Sequence, residues 1–241
     1  MPGTSALVMG PTGTGKTSLA TRCALAALER GEAVAVFMFD EDLGTFFTRS
    51  AGLGMDLRPH LEPPRLQVRP IEPAELSPGE FAHHVRRAVE IDGVRAIIID
   101  SLNGYIHAMP NERYLVLQMH ELLSYLSHHK VMTLLVLGQH GLVGDVRSDV
   151  DLSYLSDTII LMRFFEAAGA VRRGLSVVKT RVSDHEPTIR EFSLGGNGLT
   201  IGAVLRDFDG VLSGTPVYRG GARALLETTY SPPTAAPPRA G

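Results

Sequence analysis

This sequence has one cysteine, a small net charge and no long apolar run, and each of these features excludes a class of protein. The 241 residues include one cysteine, Cys23, so no disulfide can form within the chain, and we expect a reducing compartment. The net charge of −3 provides no overall basic field that would hold nucleic acid. The apolar runs, such as that around 134–137, are too short to span a bilayer, and the first residues do not resemble a secretory signal. We therefore expect a cytoplasmic protein that does not enter the membrane.

Apolar runs alternate with helix-like stretches through the first 140 residues, and the chain is then rich in strand-like segments. Repeated β-α units predict an α/β fold with a mainly parallel central sheet flanked by helices, and the later hairpins extend one edge of it. Predicted strands are 6–9, 34–39, 66–68, 95–100, 131–138, 158–162, 175–178, 189–193 and 199–201; predicted helices are 18–29, 77–91 and 112–129. Residues 1–220 are expected to form the domain, and the Pro- and Ala-rich residues 221–241 a disordered tail.

Residues 10–17 read G-P-T-G-T-G-K-T, a complete phosphate-binding loop between a predicted strand and a predicted helix. Lys16 is expected to reach the β- and γ-phosphates, and the Thr17 hydroxyl to bind Mg²⁺. The alternative is a glycine-rich turn with an incidental lysine. The residues predicted to contact the nucleotide are Gly10, Thr12, Gly13, Thr14, Gly15, Lys16, Thr17 and Ser18.

Acidic residues follow two further predicted strands, at the sheet edge where ligands bind in parallel sheets. Asp100 ends the run I-I-I-D, and its carboxylate is expected to hold Mg²⁺; the alternative is a cap on the next turn. Asp40 and Glu41 follow another strand and are candidates to orient or deprotonate the water that attacks the γ-phosphate. The alternative for this pair is a solvated acidic turn.

Polar residues near two later strand ends extend the candidate site. Gln139 can hydrogen-bond the γ-phosphate or the attacking water, or it can be an ordinary loop residue. Lys179 and Arg181 are spaced by two on a strand and therefore point to the same face. Such a pair suits a polyphosphate, but a solvated strand edge carries the same pattern.

Taken together, these segments resemble the KaiC-like branch of the RecA-type ATPases. The matching motifs follow one another in family order: G-P-T-G-T-G-K-T (10–17), F-D-E-D (39–42), G-L-G-M-D (52–56), I-I-I-D-S-L (97–102), S-Y-L-S-D-T-I-I-L (153–161), V-V-K-T-R (177–181), I-R-E-F (189–192) and S-G-T-P (213–216). The resemblance implies a RecA-like P-loop NTPase fold, ATP with Mg²⁺ as ligands, and a homo-oligomer, typically a hexameric ring with ATP at the subunit interfaces.

The resemblance also implies roles for particular residues. Lys179 and Arg181 match the pair that reaches the neighbouring subunit's γ-phosphate. Asp40 and Glu41 match the catalytic acid pair, which is usually Glu-Glu in the family. Ser153 matches a phosphoacceptor serine, although Tyr154 stands where the family's kinase domain has threonine. The founding clock ATPase has two tandem domains, so this chain is expected to correspond to one half of such a protein or to begin late.

Three functions are compatible with these residues. The leading hypothesis is an oligomeric, Mg²⁺-dependent ATP hydrolase with possible serine autokinase activity. The first alternative is a DNA-binding recombination ATPase that resembles RadA. Its candidate loop, 141–151, contains three aspartates and one arginine, and this anionic balance disfavours nucleic acid. The second alternative is a non-hydrolysing, nucleotide-gated scaffold for a signalling protein.

Overall fold

The computed structural model describes residues 2–39, 41–72, 76–107, 112–141, 154–167, 169–181, 183–213 and 216–220. The strands are β1 (Ser5–Pro11), β2 (Val34–Met38), β3 (Leu66–Pro70), β4 (Ala96–Asp100), β5 (Met132–Gln139), β6 (Thr158–Ala167), β7 (Ala170–Thr180), β8 (Arg190–Gly195), β9 (Gly198–Val204), β10 (Phe208–Asp209) and β11 (Val217–Tyr218). The α-helices are α1 (Lys16–Glu29), α2 (Leu43–Gly52), α3 (Pro78–Glu90), α4 (Leu102–His107) and α5 (Glu112–His128). The predicted tail at 221–241 lies outside the described residues.

Nine of these strands form a single sheet in the order β3-β2-β4-β5-β1-β6-β7-β8-β9. The first six in this order run parallel to one another, and β7, β8 and β9 then pair antiparallel at one edge. The prediction of a mainly parallel sheet with a β-rich edge is therefore confirmed. Strand β2 shows the physical origin of this arrangement. Its five residues are apolar and all are buried, because helices cover both faces of a parallel sheet.

Two hydrophobic clusters lie on opposite faces of the sheet. On one face, Leu7 of β1 packs in a cluster with Phe81 of α3 and Met119 of α5. On the other face, Val8 of β1 joins Ala24 of α1 and several residues of the neighbouring strands. Consecutive residues of β1 thus enter different clusters, as the alternation of side chains along a strand requires. This arrangement fixes the register of the central strands and the edge at which they end.

Local signals account for some helices and not for others. Helix α3 begins as predicted, with Ser77 as N-cap and Glu80 completing a reciprocal capping box. Helices α2 and α4 were not predicted. Asp42, which belongs to the run of three acids, accepts a hydrogen bond from the Thr45 backbone at the start of α2. The residues after Asp100 form α4 instead of the turn that the alternative interpretation required.

No helix in the described part of the chain is long and apolar enough to cross a membrane.

Candidate nucleotide-binding site

A cavity of about 900 Å³ opens at the carboxyl edge of the parallel strands, above β1, β4 and β5. The side chains that line it come from the segments that follow four different strands, as expected for a ligand site in an open α/β sheet. The lining residues predicted from the sequence are Thr12, Gly13, Gly15, Lys16, Thr17, Ser18, Glu41, Asp100 and Gln139. Gly10 and Thr14 are not among the lining residues.

The loop between β1 and α1 has a conformation that only glycine adopts easily. Gly13 and Gly15 have φ angles of 83° and 102°, in the left-handed region. Gly10 has another requirement, since a Cβ atom there would lie 2.5 Å from the Met162 carbonyl oxygen on β6. The buried Thr14 hydroxyl donates to the Pro11 carbonyl oxygen at 2.8 Å. Gly10 and Thr14 therefore shape the loop from behind the cavity.

Lys16 is buried at the start of α1 and bends back over the loop. Its Nζ donates to the Pro11 carbonyl oxygen at 2.8 Å. Burial lowers the pKa of this ammonium to about 8, although the nearby charge of Asp100 acts in the opposite direction. The side chain is thus a cation held inside a low-dielectric cavity with one neutral acceptor, a state that an anionic ligand would stabilise.

Asp100 and Thr17 lie together on the other side of the loop. Asp100 is the last residue of β4, and its carboxylate accepts a hydrogen bond from the Thr17 hydroxyl. Burial raises the pKa of Asp100, although that hydrogen bond and the charge of Arg49 lower it. No group of three or more His, Cys, Asp or Glu side chains among the described residues is placed to hold a metal ion.

Glu41 lines the cavity, and its carboxylate forms an ion pair with Arg49 of α2. Both side chains are partly withdrawn from solvent, and the second terminal nitrogen of Arg49, Nη2, is buried with no hydrogen-bond partner in the part of the chain that the structure describes. The pair exists because α2 returns Arg49 to the loop after β2. Asp40, the other predicted catalytic acid, lies outside the described residues.

Gln139 ends β5 and is held from two sides. Its Oε1 accepts a hydrogen bond of 2.6 Å from Nη1 of Arg163 on β6. The preceding residue, Gly138, exchanges two hydrogen bonds with the side chain of Asn103 on α4, at 2.6 and 3.0 Å. A Cβ atom on Gly138 would lie 3.0 Å from the Asn103 side-chain oxygen, so this close approach favours glycine. The polar end of β5 is thus fixed in place before any ligand binds.

Sequence comparisons agree with this arrangement over most of the chain. A sequence model described as "ATPase: KaiC" matches residues 1–205. The chain belongs to the KaiC family of ATPases. Its relatives include the circadian clock protein KaiC3 of Synechocystis sp., 29% identical over 88% of this chain and 42% of the relative. The circadian clock oscillator protein KaiC of Synechococcus elongatus is 26% identical over 87% of this chain and 40% of the relative. The chain thus spans about two fifths of the length of the curated relatives it matches.

Family membership confirms the RecA-like class of the fold and the resemblance drawn from the motifs. The KaiC-family motif V-V-K-T-R is located far from the cavity. Lys179 donates to the Ser156 carbonyl oxygen and Arg181 to that of Tyr154, each at 3.0 Å. Ser153, the predicted phosphoacceptor, lies outside the described residues.

The register of the sheet shows how far Lys179 and Arg181 lie from the phosphate loop of their own chain. Thr180, which lies between them, pairs with Thr158, and Thr158 pairs with Ala6 near the start of β1. The phosphate loop begins at Gly10, toward the other end of β1 and four residues further along. At about 3.3 Å per residue, the two levels are about 13 Å apart. Neither cation reaches its own cavity from this position.

Three arginines of this KaiC-family site were not recognised from the sequence. Arg49 and Arg163 contact Glu41 and Gln139, and Arg173 of β7 lines the cavity. The guanidinium carbon of Arg173 lies 5.6 Å from the ring centroid of Phe164, and its buried Nε has no hydrogen-bond partner among the described residues. None of the three arginines belongs to a sequence motif whose spacing predicts a position in the site, because each reaches the site from a separate element.

Proposed function

We propose that this KaiC-family domain binds ATP with Mg²⁺ and hydrolyses it at a site that a neighbouring subunit completes. One observation carries the proposal. Lys16, Thr17 and Asp100 line one cavity, and Glu41 and Gln139 line the same cavity although they follow different strands. This set contains a cation, two candidate metal ligands, a carboxylate and an amide, which are the groups that act in γ-phosphate hydrolysis.

The residues around Thr17 fit a magnesium ion. A hydroxyl and a carboxylate are ligands that Mg²⁺ prefers, and this ion usually takes one or two protein ligands together with substrate phosphates and water. Asp100 is partly buried, and desolvation raises its pKa, so a bound cation would relieve an unfavourable environment for its charge. When bound by Thr17 and Asp100, Mg²⁺ supplies positive charge that neutralises the phosphate oxygens.

Three side chains then act on the substrate. In our proposal Lys16 exchanges the Pro11 carbonyl for the β- and γ-phosphate oxygens, and its charge stabilises the charge that develops on them. Glu41 orients the attacking water and accepts its proton. Gln139 donates to the γ-phosphate or the water, so its amide distinguishes ATP from ADP.

Lys179 and Arg181 are proposed to act on the nucleotide of the adjacent subunit. Their separation from the phosphate loop of their own chain, about 13 Å along the sheet by strand geometry, supports a role in a neighbouring site rather than in their own. An arginine supplied by a neighbour stabilises the transition state of phosphoryl transfer in other ATP- and GTP-hydrolysing proteins. We propose a homo-oligomeric ring, with the hexamer as the expected form, in which a second copy of the chain brings these two cations to the cavity.

Incubation of the protein with ATP and Mg²⁺ tests the proposal directly. Nucleotide analysis should show ADP production, and native mass measurement of the same sample should show an oligomer larger than a dimer. Lys16→Met should abolish nucleotide binding, whereas Lys130→Met, on an exposed loop before β5, should not. A fully active monomer would contradict the role of Arg181, and binding without turnover would contradict hydrolysis.

The ion pair between Glu41 and Arg49 favours a second candidate function. A carboxylate that is engaged by an arginine has fewer oxygen lone pairs free to hold the attacking water, so the site would bind ATP and respond to it without turnover. In this case the domain is a nucleotide-gated scaffold for a signalling protein. The same incubation separates the two functions, since a scaffold would retain ATP and release no ADP.

We further propose Ser153 as the acceptor if the domain phosphorylates itself, on the basis of its place in the family motif. Intact mass after the ATP incubation would show an added phosphate, and Ser153→Ala would remove it.

A further inference from the structure

Arg163 is a buried cation that faces uncharged acceptors. It lies on β6 and is 7% exposed. Its described hydrogen bonds go to Gln139 Oε1 at 2.6 Å, to the Met162 carbonyl oxygen at 3.2 Å and to the Leu212 carbonyl oxygen at 3.2 Å. Burial lowers the pKa of Arg163, which reflects the cost of holding this charge away from water. A buried charge with neutral partners requires a reason beyond packing.

The contact with Arg163 determines which way the Gln139 amide points. A guanidinium group has five N–H donors and no acceptor, so only the amide oxygen of Gln139 can face it. The amide nitrogen is then turned away from Arg163, and Gln139 lines the nucleotide cavity. Asn103 holds the backbone of the preceding residue, Gly138. The Gln139 side chain is therefore restrained at its amide oxygen by Arg163, and the backbone that carries it is restrained by Asn103.

We propose that Arg163 is a positioning residue that holds Gln139 with its N–H groups toward the γ-phosphate. This inference rests on the function proposed above. Without Arg163 the amide can rotate by half a turn and present its oxygen, and an oxygen acceptor repels an anionic phosphate. The buried guanidinium is thus the element that makes Gln139 selective for ATP over ADP, although Arg163 itself need not touch the nucleotide.

Equilibrium binding of ADP and of a non-hydrolysable ATP analogue tests the inference. Arg163→Met should weaken the ATP analogue about tenfold, the value of one hydrogen bond to a charged group, and leave ADP affinity unchanged. Gln139→Met should give the same selective loss. The double variant should lose no more than either single variant, because the two residues act as one unit. Arg163→Lys, which retains a donor, should recover part of the preference.

Arg172→Met serves as the matched control, because Arg172 on β7 pairs with Glu191 and does not line the cavity. It should leave the preference for the ATP analogue intact. A purely structural role for Arg163 would instead lower the melting temperature and weaken both nucleotides equally, and that result would overturn the inference.

Gln139→Glu provides a test that does not require the loss of Arg163. The carboxylate would keep the Arg163 contact with one oxygen and present the other oxygen to the phosphate. It should therefore reduce affinity for the ATP analogue at least as much as Gln139→Met does. It should reduce affinity for ADP to a smaller extent than affinity for the ATP analogue. An unchanged preference would overturn the inference alone, whereas failure of the unaltered protein to bind either nucleotide would overturn the proposed function as well.

Discussion

At the scale of single residues, the cavity is defined by charges that lack ideal partners. Lys16 donates to a carbonyl, the buried Nη2 of Arg49 has no hydrogen-bond partner among the described residues, and Arg163, which holds Gln139, faces an amide and two carbonyls. Cations that were already paired with carboxylates would gain little from a polyphosphate. Ligand binding should therefore be most sensitive to substitution at these residues, and most sensitive to pH at Lys16.

Lys16 gives a prediction about pH. Its pKa is about 8 in the folded protein and 10.5 in a free lysine, and bound phosphates favour the charged form. ATP affinity should therefore fall as pH rises through about 8, by up to about tenfold per pH unit. Isothermal titration calorimetry over a pH series checks this result.

The same titration of Lys16 acts in the opposite direction on stability. Between about pH 8 and 10.5 the unfolded chain binds more protons at this residue than the folded chain, so the free energy of unfolding of the nucleotide-free protein should gain a contribution that rises with pH. Lys16→Met should lack this contribution. Identical pH dependence of unfolding in both proteins would show that Lys16 is not a buried cation.

Glu41 gives a prediction about chemistry. Loss of a general base reduces turnover by about 10²- to 10⁴-fold, so Glu41→Gln should lower kcat to that extent. ATP affinity should not fall, because the substitution conserves shape and removes a negative charge from the cavity. Glu29→Gln, on the exposed end of α1, is the matched control and should leave kcat unchanged. Equal turnover in Glu41→Gln would assign the base to another residue, of which Asp40 is the first candidate.

At the scale of elements, the sequence predicted what local patterns determine. The core strands are apolar runs, and α3 has its own start signals at Ser77, Pro78 and Glu80, so both were recognised. Helix α2 has apolar residues at helical spacing, Leu43, Phe46 and Phe47, which pack on the same core cluster, so its pattern was present in the sequence but was not recognised. Helix α4 spans only six residues, too few to show a helical period, and is stabilised mainly by tertiary contacts, which a single sequence does not display.

The capping box of α3 gives a prediction about stability. Ser77→Ala removes the hydroxyl that accepts from the Glu80 backbone and should cost about 1 kcal/mol. For a domain of this size the melting temperature should fall by about 2–4 °C. Nucleotide affinity should not change, because no residue of α3 lines the cavity. Ser124→Ala, exposed on α5, is the control and should be neutral or slightly stabilising, since alanine favours helix.

The candidate site was predicted unevenly for the same reason. Lys16, Thr17 and Asp100 belong to motifs whose spacing encodes their position, and the structure brings all three to the cavity. Arg49 and Arg163 are placed by α2 and by the pairing of β6 with β1, which no local motif encodes.

At the scale of the whole molecule, the proposed shared site predicts complementation between subunits. Lys16→Met inactivates the phosphate loop, and Arg181→Met inactivates the contribution to the neighbour, so each variant alone should be inactive. After random mixing in equal amounts, about a quarter of the interfaces should combine an intact loop with an intact arginine. Steady-state turnover of the mixture should therefore recover to about a quarter of that of the unaltered protein.

Arg22→Met, exposed on α1, is the control for loss of an arginine, and it should be active alone. If the mixture of Lys16→Met and Arg181→Met stays inactive while native mass shows mixed oligomers, the sites are not shared.

The separation of the phosphate loop and Lys179–Arg181 along the sheet also sets the number of working sites in an assembly. In the proposed assembly a subunit contributes its phosphate loop to one site and its Lys179–Arg181 pair to another, and so joins its neighbours head to tail. An open row of n subunits then has n − 1 complete sites, and only closure into a ring supplies the last one. Activity per subunit should thus depend on the size of the assembly and on its closure. Dilution, which dissociates the assembly, should therefore reduce ATP turnover before any single chain unfolds.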